Sequence, residues 1–122
     1  MTSDAFNAFC ASLPATTHVV QWGGADVWKI GGKVFAIGWD EGDVCAVTFK
    51  AGEFAFEILR DAPGLRQAPY LASRGLKWIQ AYAAPGLDDA ELRAYLRRSY
   101  DMVAADLPKK TRRALGLADP SA

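Results

Sequence analysis

The sequence predicts an α+β domain in which an antiparallel sheet, a four-strand meander plus a fifth strand, packs against an N-terminal and a C-terminal helix. Two observations carry this. Between Thr17 and Lys50, short runs rich in Val, Ile, Phe and Trp are broken by Gly23-Gly24, Gly31-Gly32 and Asp40-Glu41-Gly42-Asp43, the texture of strands joined by tight turns. On either side of that region the apolar residues recur at helical spacing instead. At 122 residues one core suffices, and residues 1–117 read as a single domain followed by a flexible end, 118–122.

In the first helix, Asp4 to Leu13, residues Phe6, Phe9, Cys10 and Leu13 stand at i, i+3, i+4 and i+7. Thr2, Ser3 or Asp4 is available as its cap, and Pro14 lies beyond. In the third strand Phe35, Ile37 and Trp39 alternate with Val34, Ala36 and Gly38, predicting one bulky face and one flat face suited to a helix. A second helix is expected from Glu53 to Ala62 with Phe54, Ile58 and Leu59 inward, stopped by Pro63-Gly64. A loop through Ala68-Pro69-Tyr70-Leu71 leads to the fifth strand, Leu76 to Tyr82, around Trp78 and Ile79. The last helix opens on an Asp88-Glu91 capping box and carries Leu92, Leu96, Ser99, Val103 and Leu107 on one stripe until Pro108.

Charge narrows the function classes. Fourteen basic residues balance fourteen acidic ones, so nucleic acid or an anionic membrane can be held only by a local patch. No secretory signal or membrane-length apolar run is visible, which points to the cytoplasm, with no membrane partner. In that reducing compartment Cys10 and Cys45 read as buried thiols. The single histidine, His18, has no second imidazole and no cysteine pair beside it, so neither a metal site nor a catalytic triad is expected. No cofactor motif occurs: the glycine pairs fit hairpin turns and match neither phosphate-binding signature, and the acidic turn lacks the spacing of a calcium loop.

Two surface constellations remain. Of four tryptophans, Trp39 and Trp78 fall within alternating apolar patterns and are expected in the core. Trp22 and Trp28 flank a glycine-rich turn and are expected to be partly exposed, forming with Tyr70 an aromatic patch for a ligand or partner. The basic residues form the second: Lys29 and Lys33 bracket the Gly31-Gly32 turn, Lys50 ends the fourth strand, Arg74 and Lys77 surround the fifth, and Lys109, Lys110, Arg112 and Arg113 supply a flexible basic arm. Such a set can follow backbone phosphates. Lysines at strand ends also serve simply to block edge association.

The ordered series Trp22-Gly23, Val27-Trp28-Lys29, Gly32-Lys33-Val34-Phe35-Ala36, Thr48-Phe49-Lys50, Pro63-Gly64, Ala68-Pro69-Tyr70-Leu71, Lys77-Trp78, Ser99-Tyr100 and Leu107-Pro108-Lys109-Lys110 resembles the MmcQ/YjbR family of small bacterial proteins. The resemblance implies a fold similar to that of CyaY and the frataxins, and a double-wing mode of DNA binding. Two features depart from what it implies. The hairpin tip at Asp40 to Asp43 is acidic and would be repelled by phosphate. The first helix has only Asp4 among its charged residues, so the iron-binding chemistry of frataxins is not expected. The residues thus point first to a non-enzymatic DNA-binding protein using Lys29, Lys33, Lys50, Lys77 and the basic arm. The alternative is a protein-interaction or small-ligand module built on the aromatic patch.

Overall fold

Helix α1, Ser3–Ser12, begins where Thr2 Oγ1 accepts the Ala5 amide at 3.1 Å, and it turns Phe6 and Cys10 into the core. The computed structural model describes residues 1–42, 44–69, 71 and 75–117. Asp43, Tyr70, Arg74 and the end 118–122, each of which carried an expectation, lie outside the described residues. Strands β1 (Thr16–Gln21), β2 (Ala25–Ile30), β3 (Lys33–Asp40) and β4 (Cys45–Lys50) form the expected meander. After helix α2 (Glu53–Leu59) come β5 (Leu65–Gln67), β6 (Trp78–Ala81), and helices α3 (Asp89–Ala105) and α4 (Lys109–Ala114). The described residues make one six-stranded sheet in the order β1-β2-β3-β4-β6-β5, with every neighbouring pair antiparallel.

Strand β5 falls where a loop was expected. Three residues between Pro63-Gly64 and Pro69 are too few to show a period, and they become a strand because β6 offers them its free edge. Helix α2 is shorter than expected and rotated. Ala55, Phe56 and Leu59 face inward, while Phe54 is 82% exposed and Ile58 also lies outside. Both faces of this two-turn segment are apolar, so periodicity does not decide its phase.

Helices α1 and α3 cover one face of the sheet. The Asp88-Glu91 capping box is present, with bonds of 2.8 and 3.1 Å, and Leu92, Leu96, Ser99, Tyr100 and Val103 face the strands. The expected alternation in β3 is broken by a bulge. Trp28 faces Ala36 but Lys29 faces Val34, leaving Phe35 as the extra residue. Phe35 and Ala36 therefore both join the core under the helices, and Phe35 meets Tyr100 edge-on at 5.4 Å. Ile37 stays on the opposite face, where it clusters with Ala25 and Val27 and with the half-buried Trp39. The flat surface does take a helix. A Cβ at Gly38 would come within 2.5 Å of the Phe6 ring, so only glycine lets α1 approach this closely.

Candidate binding surfaces

The lysines are sorted by strand register. Lys29 is the next-to-last residue of β2, Lys33 opens β3, Lys50 ends β4 opposite Trp78, and Lys77 directly precedes β6, so the antiparallel order brings all four to one end of the sheet. Acidic residues gather at the other end. Asp40 closes β3, Asp26 opposes Gly38, and the Met1 amino group reaches Asp89 at 3.1 Å while the Met1 carbonyl accepts the Cys45 amide. Net charge zero therefore hides a partial separation over the length of β3, eight residues or roughly 23 Å, with Asp106 standing among the lysines.

The C-terminal basic segment joins the lysine end as a folded element. It was expected as a flexible arm, but Lys109–Ala114 is helix α4. Arg112 secures it: its Nη1 donates to the carbonyls of Ala105 at 2.9 Å and Leu107 at 2.6 Å, filling acceptors that the end of α3 leaves open. Leu107 is buried against the β2–β3 turn, where a Cβ on Gly31 would lie 2.7 Å from Leu107 Cδ1. Gly31, at φ +58°, answers both the turn geometry and this contact. Lys109, Lys110 and Arg113 are exposed beside that junction.

The four lysines are not equivalent. Lys33 and Lys50 line one groove with Trp78, Val103 and Asp106, and Lys50 Nζ is 3.5 Å from Asp106 Oδ2. Lys77 lies over the Phe56 ring at 4.8 Å from its centroid. Lys29 is half-buried, and alternation places it on the face away from Trp28 and Ile30.

The aromatic surface differs from expectation. Trp28 is only 7% exposed: it shares the helix side of β2 with Ile30, and its Nε1 donates to Asn7 Oδ1 at 2.9 Å. Trp39 was expected in the core but stands half-buried on the helix-free face, where it lines a cavity of about 700 Å³. Trp22, 58% exposed and held at φ 52°, lines the same cavity. So do Thr48, Arg66, Gln80 and Glu41, none of which was expected to line a binding surface. The signal for Thr48 was the period-two pattern of β4, which puts it on the face of Ile37. Arg66 and Gln80 depend on the unexpected pairing of β5 with β6.

His18 is tied into structure. Its Nε2 lies 2.8 Å from Asp26 Oδ1, Asp26 Oδ2 accepts from Asn7 Nδ2 at 3.2 Å, and its ring packs on Trp28 at 4.8 Å. Burial raises the thiol pKa of both Cys10 and Cys45, the opposite of nucleophile activation. Among the described residues no group of three or more His, Cys, Asp or Glu could hold a metal ion, and no helix is long and apolar enough to cross a membrane.

The YjbR family model matches residues 11–102, from the end of α1 through most of α3. The chain belongs to the YjbR family. The fold agrees with this membership: the crystal structure of Deinococcus radiodurans protein DR2400, described as a DUF419 domain, superposes with a TM-score of 0.82 at 23% identity. That likeness covers 97% of this chain and 90% of DR2400. No curated protein matches the chain. The family match ends before α4, so the basic helix lies beyond the segment that defines this YjbR protein's membership.

Proposed function

We propose that this YjbR protein is a non-enzymatic, cytoplasmic DNA-binding protein that holds backbone phosphates at the lysine end of its sheet. The observation that carries the reading is the strand register, which gathers Lys29, Lys33, Lys50 and Lys77 from four separate segments. Helix α4 adds the exposed Lys109, Lys110 and Arg113 beside the Gly31-Gly32 turn, locked there by Leu107. A basic end opposed to an acidic end orients the molecule on a polyanion despite zero net charge. Lys33, Lys110 and Arg113 carry most of the contact, because Lys29 is half-buried on the other face of the sheet and Lys50 is partly neutralised by Asp106. Phosphate contacts position without reading bases, so sequence preference is weak.

The test is fluorescence anisotropy of labelled duplex and single-stranded DNA over a salt series. Each phosphate contact steepens the plot of log K against log[salt] by about 0.9 for duplex. Lys29→Ala with Lys33→Ala should flatten that slope by up to roughly 2. Absence of binding at low salt overturns the reading. A second reading, a small-ligand module, is favoured by the cavity beside Trp22 and Trp39, on a surface that the DNA reading does not use.

A further inference from the structure

We infer that the cavity on the helix-free face is a binding site for a planar aromatic monocarboxylate, an inference that rests on the second reading above and is independent of DNA binding. The cavity encloses about 700 Å³, room for a ligand of one or two fused rings. Its apolar walls include Trp22 and Trp39, and an indole face is well matched to a flat ring. Trp22 is held in the left-handed region at φ 52°, a conformation that costs a bulky residue energy, and from there its side chain lines the cavity.

The polar groups set the ligand's charge. Arg66 Nε donates to Gln80 Oε1 at 2.8 Å, and the guanidinium stacks on Tyr82 at 4.4 Å from the ring centroid. Two fixed contacts hold this guanidinium in place, yet among the described residues no carboxylate pairs with it. A preorganised, unpaired guanidinium fits a carboxylate in a two-pronged bond. Thr48, 3% exposed, lines the same cavity, and its hydroxyl has no hydrogen-bond partner among the described residues, which leaves it for a second polar atom of the ligand. Glu41 also lines the cavity, and its negative charge disfavours a dianion such as a phosphomonoester over a carboxylate.

The probes are 2-naphthoate, its neutral amide 2-naphthamide, and AMP, each titrated by calorimetry, with chemical-shift mapping of the full chain. The expected result is 2-naphthoate binding that perturbs the indole signals of Trp22 and Trp39, weakened by at least about tenfold in Arg66→Gln. The amide should bind weakly and equally to both proteins, and Trp22→Ala, an exposed position that folding tolerates, should also lose affinity. Lys29→Ala with Lys33→Ala should leave naphthoate binding unchanged whatever its effect on DNA, so the two readings fail separately. No naphthoate binding at millimolar concentration, binding indifferent to Arg66→Gln, or tighter binding of AMP would overturn the inference.

Discussion

Ser99 donates its hydroxyl to the Phe35 carbonyl at 2.6 Å, and the same oxygen accepts the Lys50 amide at 2.9 Å. The β3–β4 ladder stops at Ala36 and Phe49, because the bulge at Phe35 carries the next carbonyl out of register. A fully buried side chain from α3 closes the gap and satisfies both orphaned groups.

Ser99→Ala should therefore destabilise the protein by about 1–3 kcal/mol, the cost of leaving buried backbone groups unpaired. Urea denaturation measures it. A change below about 0.5 kcal/mol would mean that the strands pair across the gap without help.

The rotated phase of α2 separates two phenylalanines a pair of positions apart. Phe56→Ala should cost about 3–5 kcal/mol, since Phe56 is 3% exposed and lies under the Lys77 and Arg60 cations. Phe54→Ala and Ile58→Ala should each stay within about 0.5 kcal/mol. Equal losses at 54 and 56 in thermal melts would contradict the observed phase.

How far the fold could be read from residues depended on how many independent signals each element carried. Helix α3 had a capping box and an apolar stripe, and the box holds with Leu92, Leu96, Ser99 and Val103 buried, but the helix ends at Ala105, so Leu107 and Pro108 lie beyond it. Strands β1 to β4 were legible because glycine-rich or acidic turns separate runs of β-formers. Strand β5 had only three residues, and the chain reaches it from β4 by a connection that passes over the position of β6, so nothing local marked it. Among the surface residues, the lysines were recognisable by charge, but their gathering at one end is a property of register. The cavity was read only at Trp22. Trp39 looked like core because an apolar residue on a sheet face is normally covered, and among the described residues no helix covers this face. Thr48 entered only as part of the family series and Gln80 not at all, because single polar residues in strands are common, and Arg66 is placed by a strand that nothing local marked.

Gly38→Ala places a methyl group 2.5 Å from the Phe6 ring and 3.0 Å from the Cys45 sulfur. The expected loss is about 1–3 kcal/mol from overpacking. Phe6→Leu made in the Gly38→Ala background should recover part of it, although Phe6→Leu alone is destabilising. A double-mutant cycle by denaturation checks the sign: a coupling energy near zero would place the strain elsewhere.

Stability should fall on the alkaline side. Burial raises the pKa of the Cys10 and Cys45 thiols above their ordinary 9.0, and desolvation likewise raises the Tyr100 phenol above 10.0. Each group is neutral when protonated and is held neutral by the fold, so the native state keeps protons that the unfolded chain releases. The native state then binds more protons than the unfolded one, and unfolding free energy decreases with pH. The contribution is fully present below about pH 7.5, where both states are protonated, and is lost progressively as the pH rises through about 8.5–9 and the unfolded thiols ionise. Each group adds a slope of up to about 1.4 kcal/mol per pH unit. Tyr100 reinforces the effect above pH 10, because its hydroxyl donates to the Pro14 carbonyl at 2.6 Å and a phenolate has no proton to give. Urea unfolding from pH 7 to 10.5 should show a plateau and then this decline. Cys10→Ala lowers stability throughout by removing a packed side chain, but its curve should fall less steeply above pH 9. Parallel curves for the two proteins would show that the Cys10 thiol titrates alike in both states, and would rule out its burial as the source of the alkaline loss.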